Sequence, residues 1–232
     1  MSNFKAIDTS TRLADEVYQQ VLNAIAAGNI DPHKRIVQEW LADQLQVSRT
    51  PVREALIRLE NEGVLARVGR SGYQIRSIDD EEVQQIYEAR EAIECHAVAY
   101  LTRAGDQRVV ARLRKVIQSL DETSKQNTKD YFDANQRVHR AFVVETNNPF
   151  LLEMFDALWN RSISFYLFSE MVNVDLPESL DDHLLLCDAI ENGDDSEAAR
   201  TMREHISHGL DLQRNAIAIN RSVRDAQQIG SV

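Results

Sequence analysis

The stretch from Arg35 to Arg76, RIVQEWLADQLQVSRTPVREALIRLENEGVLARVGRSGYQIR, constrains the chain more than any other. Residues 38–46 suit a short helix with Trp40, Leu41 and Leu45 inward. Val47-Ser48-Arg49 breaks it with a tight turn. Thr50 then caps a second helix, with Pro51 at its first position, where the missing N–H costs nothing. Val52, Ala55, Leu56 and Leu59 give that helix an inner face, and Gly63 ends it. Leu65 to Ile75 alternates as a small β-hairpin does, and Gly69-Arg70-Ser71-Gly72 reads as its tip. Two short helices meeting at a turn, followed by a hairpin, make a winged helix-turn-helix.

Such a module presents the start of its second helix to the major groove. Ser48, Arg49, Thr50 and Arg53 lie there. An arginine can pair bidentately with guanine, and Thr50 can meet a phosphate or a thymine methyl. Arg70 and Gly72 sit in the wing, where Arg70 would reach phosphate or the minor groove. A pair of solvated surface arginines is the plainer reading of Arg49 and Arg53, but the surrounding cap, proline and wing argue against it. Charge bears on the same point. The net charge of −11 argues against a general nucleic-acid binder, yet it is unevenly spread. Residues 1–78 carry 10 Lys+Arg and 9 Asp+Glu, and 79–232 carry the other 16 and 28, so the two parts are +1 and −12. Residues 46–76 hold six Arg against three Glu, which concentrates positive charge where phosphate contact needs it.

Around this module the rest of the chain reads as helix. Thr9-Ser10-Thr11 precedes Leu13, Val17, Val21 and Ile25 at four-residue spacing, an amphipathic helix stopped at Gly28-Asn29. Arg35-Ile36-Val37 is a short strand or extended entry. A boundary falls near residue 77, giving domains 1–76 and 77–232. Ser77 or Asp79 caps the next helix, and helices are expected over 79–103, 107–125, 129–146, 150–171, 177–191 and 195–220, with a frayed end. Cys95 and Cys187 are too far apart to suggest a disulfide framework, and no leader or membrane span is visible, so a reducing cytoplasm is the expected setting.

Polar residues interrupt the apolar faces of these helices. Phe132, Asn135, His139, Phe142 and Thr146 share one face, as do Leu180, His183, Cys187 and Ile190, and Ala198, Met202, His205, Gly209 and Leu212. Ile86, Arg90, Ile93 and Ala97 share another, so Arg90 requires an anion, either a protein carboxylate (Glu94 or a distant acid) or a ligand. One inward histidine is ordinarily a hydrogen-bonded core residue. Three on separate helices suit a divalent metal such as Zn or Ni. Trp159, Phe165, Tyr166 and Phe168 would line a pocket, an interface or plain core. Cys187 reads as core, His96 as packed between helices and His33 as exposed.

The run LADQLQVSRTPVREAL, the following LENEGVL and the GRSGY wing resemble the GntR family of bacterial transcription regulators. The segments AREAIE (89–94), NQRVHRAF (135–142) with NNPFL after it, DHLLLCDAI (182–190) and AARTMREHI (198–206) resemble the FCD ligand-binding domain of its FadR-type members. The resemblance implies an antiparallel helical bundle behind the winged head and a carboxylate metabolite as effector. It also implies a metal held by His139, His183 and His205, with an Asp at the position occupied here by Asn135, and with His205 favoured over His208. Arg161 resembles an arginine frequent in its helix and would bind an anionic ligand along with Arg90 and Asn135. Two departures stand out. Glu39 occupies a position where many FadR-type members have Arg, which implies a different operator preference. Asn135 brings no charge to a metal, which implies weaker binding or dependence on a ligand carboxylate.

The expected protein is therefore mainly α, with an N-terminal winged helix-turn-helix and a C-terminal all-α bundle. It would be a cytoplasmic, nucleoid-associated homodimeric regulator, a repressor rather than an activator, reading palindromic half-sites and releasing them in response to an organic acid. Two other classes compete: a metal-dependent enzyme built on the three histidines, and a constitutive DNA binder without an effector. No acid/base motif such as His-Glu-x-x-His supports the first.

Overall fold

The structure, a computed structural model, describes residues 10–69, 72–121, 128–159, 164, 166 and 178–229. They fall into two compact units whose main boundary lies between Ser77 and Ile78.

In the first unit, α1 (Ser10–Ala26) packs against α3 (Arg49–Asn61), with α2 (Gln38–Leu45) beside it. Val17, Tyr18, Val21, Leu22 and Ile25 of α1 and Val52, Ala55, Leu56 and Leu59 of α3 are buried together as their helical spacing requires. Gln46 takes the left-handed conformation at φ 52° and turns the chain between α2 and α3. The helix-turn-helix differs from expectation in two details. Ser48, not Thr50, stands in extended conformation before α3, so Pro51 is the third helical residue. The whole first turn lacks intrahelical N–H partners, so proline is tolerated there as well as at the first position. Trp40 is 52 % exposed, because Leu41 and Ala42 alone turn α2 toward the core and Trp40 lies about 100° from Leu41 around the helix.

The wing is a three-stranded antiparallel sheet in the order β1-β3-β2: β1 (Ile36–Val37), β2 (Leu65–Val68) and β3 (Gly72–Ile75). Leu65 pairs with Ile75 and Val68 with Gly72, while β1 joins the other edge of β3 through Ile36 and Tyr73. Gly72 has a packing duty here. A Cβ on it would lie 1.8 Å from Nε of Arg35, whose side chain crosses the strand at that point.

The described elements of the second unit are all helices: α4 (Asp80–Ala104), α5 (Gln107–Asp121), α6 (Thr128–Val144), α7 (Pro149–Trp159), α8 (Glu178–Glu191) and α9 (Asp195–Ile229). Asp79 caps α4 by accepting from the Glu82 N–H at 2.8 Å, and the acidic first turn suits the positive end of the helix dipole. Gly105, at φ 64°, closes α4 with its N–H on the Leu101 and Thr102 carbonyls. The central helix is α4, which runs against α9 and also touches α6, α7 and α8. Val83, Ile93, Ala97, Val98, Leu113, Phe142, Phe155, Leu186 and Met202 fill the core between them. The last helix outruns its expected end at 220 and continues to Ile229, immediately before Gly230, since nothing from 220 to 229 breaks a helix. Of the helix expected over 150–171, the described part ends at Trp159.

Candidate operator face and buried histidine site

At the start of α3, Ser48, Arg49, Thr50 and Arg53 are all exposed. Gln38 donates through its amide to the Arg49 carbonyl at 3.1 Å, tying the beginning of α2 to the beginning of α3. Glu39 meets the Arg49 guanidinium at 3.3 Å. The acid that departs from the FadR-type pattern thus stands beside an exposed arginine at the start of α3. Of the wing residues, Arg70 lies outside the described residues, and Gly72 is buried under Arg35. Arg67 projects from β2 but is held by Glu60 at 2.9 Å and by the Tyr73 hydroxyl at 3.2 Å.

In the helical unit, α6, α8 and α9 bring His139, His183 and His205 together. Their Nε2 atoms face one another: those of His139 and His183 are 3.2 Å apart, and those of His139 and His205 3.3 Å. His139 and His183 are buried and His205 is partly so. Tetrahedral zinc with ligands at about 2.0–2.1 Å holds its nitrogens about 3.3 Å apart, so the set fits a divalent ion. Hydrogen bonding between imidazoles accounts for it less well. A neutral imidazole offers one in-plane lone pair, and His139 Nε2 also lies 3.5 Å from Nη2 of Arg90, so that lone pair has three neighbours competing for it. Burial lowers the proton affinity of His139 and, with the two neighbouring imidazoles, holds His205 well below the ordinary histidine range. Both are then neutral at pH 7, the state a metal requires.

The surroundings of this cluster contain one residue that sequence reasoning used only as a partner for Arg90. Glu94, on α4, is fully buried. Its Oε1 accepts from Nε of Arg90 at 3.1 Å, and its Oε2 accepts from Nδ1 of His139. Burial pushes the carboxyl up, but His139 and Arg90 outweigh it and hold it down at about 2. The i,i+4 spacing from Arg90 made the ion pair legible; the contact with His139, 45 residues further on, leaves no trace in the local sequence. Trp159 forms another wall. Its ring stacks on His139 with centroids 5.5 Å apart, the Arg90 guanidinium carbon lies 4.5 Å from its centroid, and its buried indole N–H has no hydrogen-bond acceptor among the described residues.

The remaining residues fall into place around this centre. Asn135 is buried on α6, one turn before His139. Cys187 is fully buried, and burial pushes its thiol up to about 12, which makes it core and not a thiolate ligand. His208 is exposed and stays outside the cluster. His96, expected between helices, is exposed instead, because its neighbours Cys95 and Ala97 take the inward positions of α4. His33 is exposed. Tyr166 is buried, whereas Arg161, Phe165 and Phe168 lie outside the described residues.

Known proteins give this arrangement a context. Residues 13–75 match the family described as bacterial regulatory proteins, gntR family, and residues 85–208 match the FCD domain. The chain belongs to the GntR family and carries an FCD domain. It is 26% identical to the HTH-type transcriptional regulator YdhC of Bacillus subtilis, over 94% of this chain and 97% of that one. It is also 26% identical to the HTH-type transcriptional repressor GlaR of Escherichia coli, over 88% and 96%. The gluconate operon transcriptional repressor of Bacillus licheniformis is 27% identical, over 80% and 77%. Among solved structures, E. coli McbR/YncC shares the fold with a TM-score of 0.63 at 24% identity, covering 88% of this chain and 97% of that one. As a GntR-family member with this head, the chain is a DNA-binding transcriptional regulator and not an enzyme. No helix among the described residues is long and apolar enough to cross a membrane.

Proposed function

We propose that this GntR-family regulator is a cytoplasmic repressor whose hold on DNA is released by a small carboxylate metabolite. In this reading the acid binds in the helical half at a divalent ion held by His139, His183 and His205. The observation that carries it is the convergence of three Nε2 atoms beside a buried arginine. The ion supplies a Lewis-acid anchor for a carboxylate oxygen. Asn135 can add a neutral carbonyl oxygen, and its lack of charge leaves the ion's positive charge for the incoming acid. Arg90 supplies the second cation, and the Trp159 N–H, which has no acceptor among the described residues, can donate to a ligand oxygen. Arg161 is retained as a further anion partner.

At the head, Ser48, Arg49, Thr50 and Arg53 read base edges and phosphates from the start of α3, and Arg70 reaches from the wing, whose Gly72 lets Arg35 cross it. Two heads on a palindrome require a homodimer, and an acid that favours another head spacing weakens operator binding through linkage. The test is a gel-shift titration of the full chain on duplexes selected from a random-sequence pool. It is run metal-free, with added Zn or Ni, and with a panel of small organic acids. Release that requires both metal and one acid supports the reading. Operator affinity indifferent to every acid, with metal and without, would leave a constitutive DNA binder.

A further inference from the structure

We propose that Glu94 is the positioning residue of the histidine site: it fixes the His139 proton on Nδ1, so that the Nε2 lone pair is kept for the point where His183 and His205 converge. This rests on the metal reading above. An imidazole has two neutral tautomers, and the hydrogen bond made by one nitrogen decides which is presented by the other. An ionised carboxylate can only accept, so the contact between Glu94 Oε2 and His139 Nδ1 places the proton on that nitrogen. The opposite tautomer would set a lone pair against the carboxylate and a proton into the cluster, where a cation could not enter.

Glu94 is not itself a ligand of that cluster. Its Oε2 is spent on the nitrogen of His139 that faces away from the Nε2 atoms, and its Oε1 on Arg90. Arg90 compensates its charge, which lets an ionised carboxylate persist with no solvent exposure. Trp159 stacks on the face of the same imidazole, so His139 is fixed both at its edge and across its plane. The three histidines come from α6, α8 and α9, whereas Glu94 comes from α4, and it ties the central helix into the site. One carboxylate thereby sets both a metal-facing imidazole and the guanidinium beside it.

The test has two arms on the full-length chain. In metal-free wild type with 15N-labelled histidine, long-range 1H–15N spectra should show His139 as the Nδ1–H tautomer, its signals assigned by their loss in His139→Gln. A wild-type His139 that carries its proton on Nε2 overturns the proposal and needs no variant that might fail to fold. The second arm titrates Co(II) alone into wild type and Glu94→Gln, with helix content and duplex affinity as controls for folding. The variant should mix tautomers at His139 and bind Co(II) about 10–100-fold more weakly. Equal Co(II) affinity in a folded Glu94→Gln overturns Glu94 as the positioning residue and leaves the metal reading intact. The Nδ1–H tautomer in a wild type that takes up no Co(II) has the opposite effect: it sinks the metal reading while upholding the hold of Glu94 on His139.

Discussion

In the head, Arg49 and Arg53 stand exposed at the start of α3, over the buried apolar side chains of Val52, Ala55, Leu56 and Leu59. In the helical half, Arg90, Glu94, His139 and His183 lie within the core itself. The first arrangement suits a ligand too large to enclose, a polyanion met by displayed charge that water screens until contact. The second suits a ligand small enough to surround. There each charge must be compensated by another before any ligand arrives, and Glu94 with Arg90 does this. The contrast has consequences for substitution: truncating a displayed charge should cost binding, and truncating a buried one should cost the fold.

The largest expected effect lies in the bundle. Glu94→Ala leaves Arg90 buried without its partner and should destabilise the helical half by about 3–5 kcal/mol. Thermal unfolding followed by circular dichroism measures it, and a loss below about 1 kcal/mol would erase the contrast between the halves. Next comes the head. Arg53→Ala should weaken binding to a selected operator by about 1–3 kcal/mol and relax base preference locally, with no change in unfolding temperature.

Acid should also separate the halves. His139 and His205 have their pKa values lowered by burial, so near and below pH 6.5 the unfolded chain takes up protons that the folded chain refuses. Stability from these two groups is complete above that pH and declines as pH falls. Glu94 adds a second loss, from its ordinary 4.5 down toward about 2. The head has one histidine, His33, and it is exposed. Melts between pH 7.5 and 5 should therefore lower the transition of the helical half first; an equal fall in both halves would contradict this.

The two tryptophans offer a finer probe, since one lies in each half. Trp40 is 52 % exposed and Trp159 only 4 %. Acrylamide should quench mainly Trp40, and Co(II) mainly Trp159, as seen by comparing Trp40→Phe with Trp159→Phe. Quenching of Trp40 by Co(II) would place the ion in the wrong half. The smallest effect concerns Glu39→Gln, which frees Arg49 from its carboxylate neighbour. Affinity for random duplex should rise modestly, and its salt dependence should steepen by about 0.9, the change for one further phosphate. An unaltered slope would show that the pair does not restrain Arg49.

The winged head was legible almost residue by residue, because its determinants are local. The spacing of Val52, Ala55, Leu56 and Leu59 fixes a helix face, and Gly69 and Gly72 bracket the tip of the wing. Its two departures are local as well. The shift of the cap from Thr50 to Ser48 lies within the tolerance of a helix's first turn, and the outward Trp40 reflects a helix of only eight residues, too short for its period to be read securely. The order of helices in the second half was equally readable, as was the presence of an inward histidine on each of three of them.

What periodicity could not supply was which inward faces meet. Spacing along a helix assigns a side chain to a face, whereas the approach of two faces depends on how all the helices pack. Thus the sequence by itself determined the helices, the winged head with its exposed arginines, and His139, His183 and His205 as inward residues. Only the tertiary structure decided that the three Nε2 atoms converge within one cluster, that Glu94 backs His139 instead of merely pairing with Arg90, and that Glu39 stands against Arg49. The first set follows from local backbone and burial preferences; the second from contacts between residues on separate helices, where only packing sets the distance.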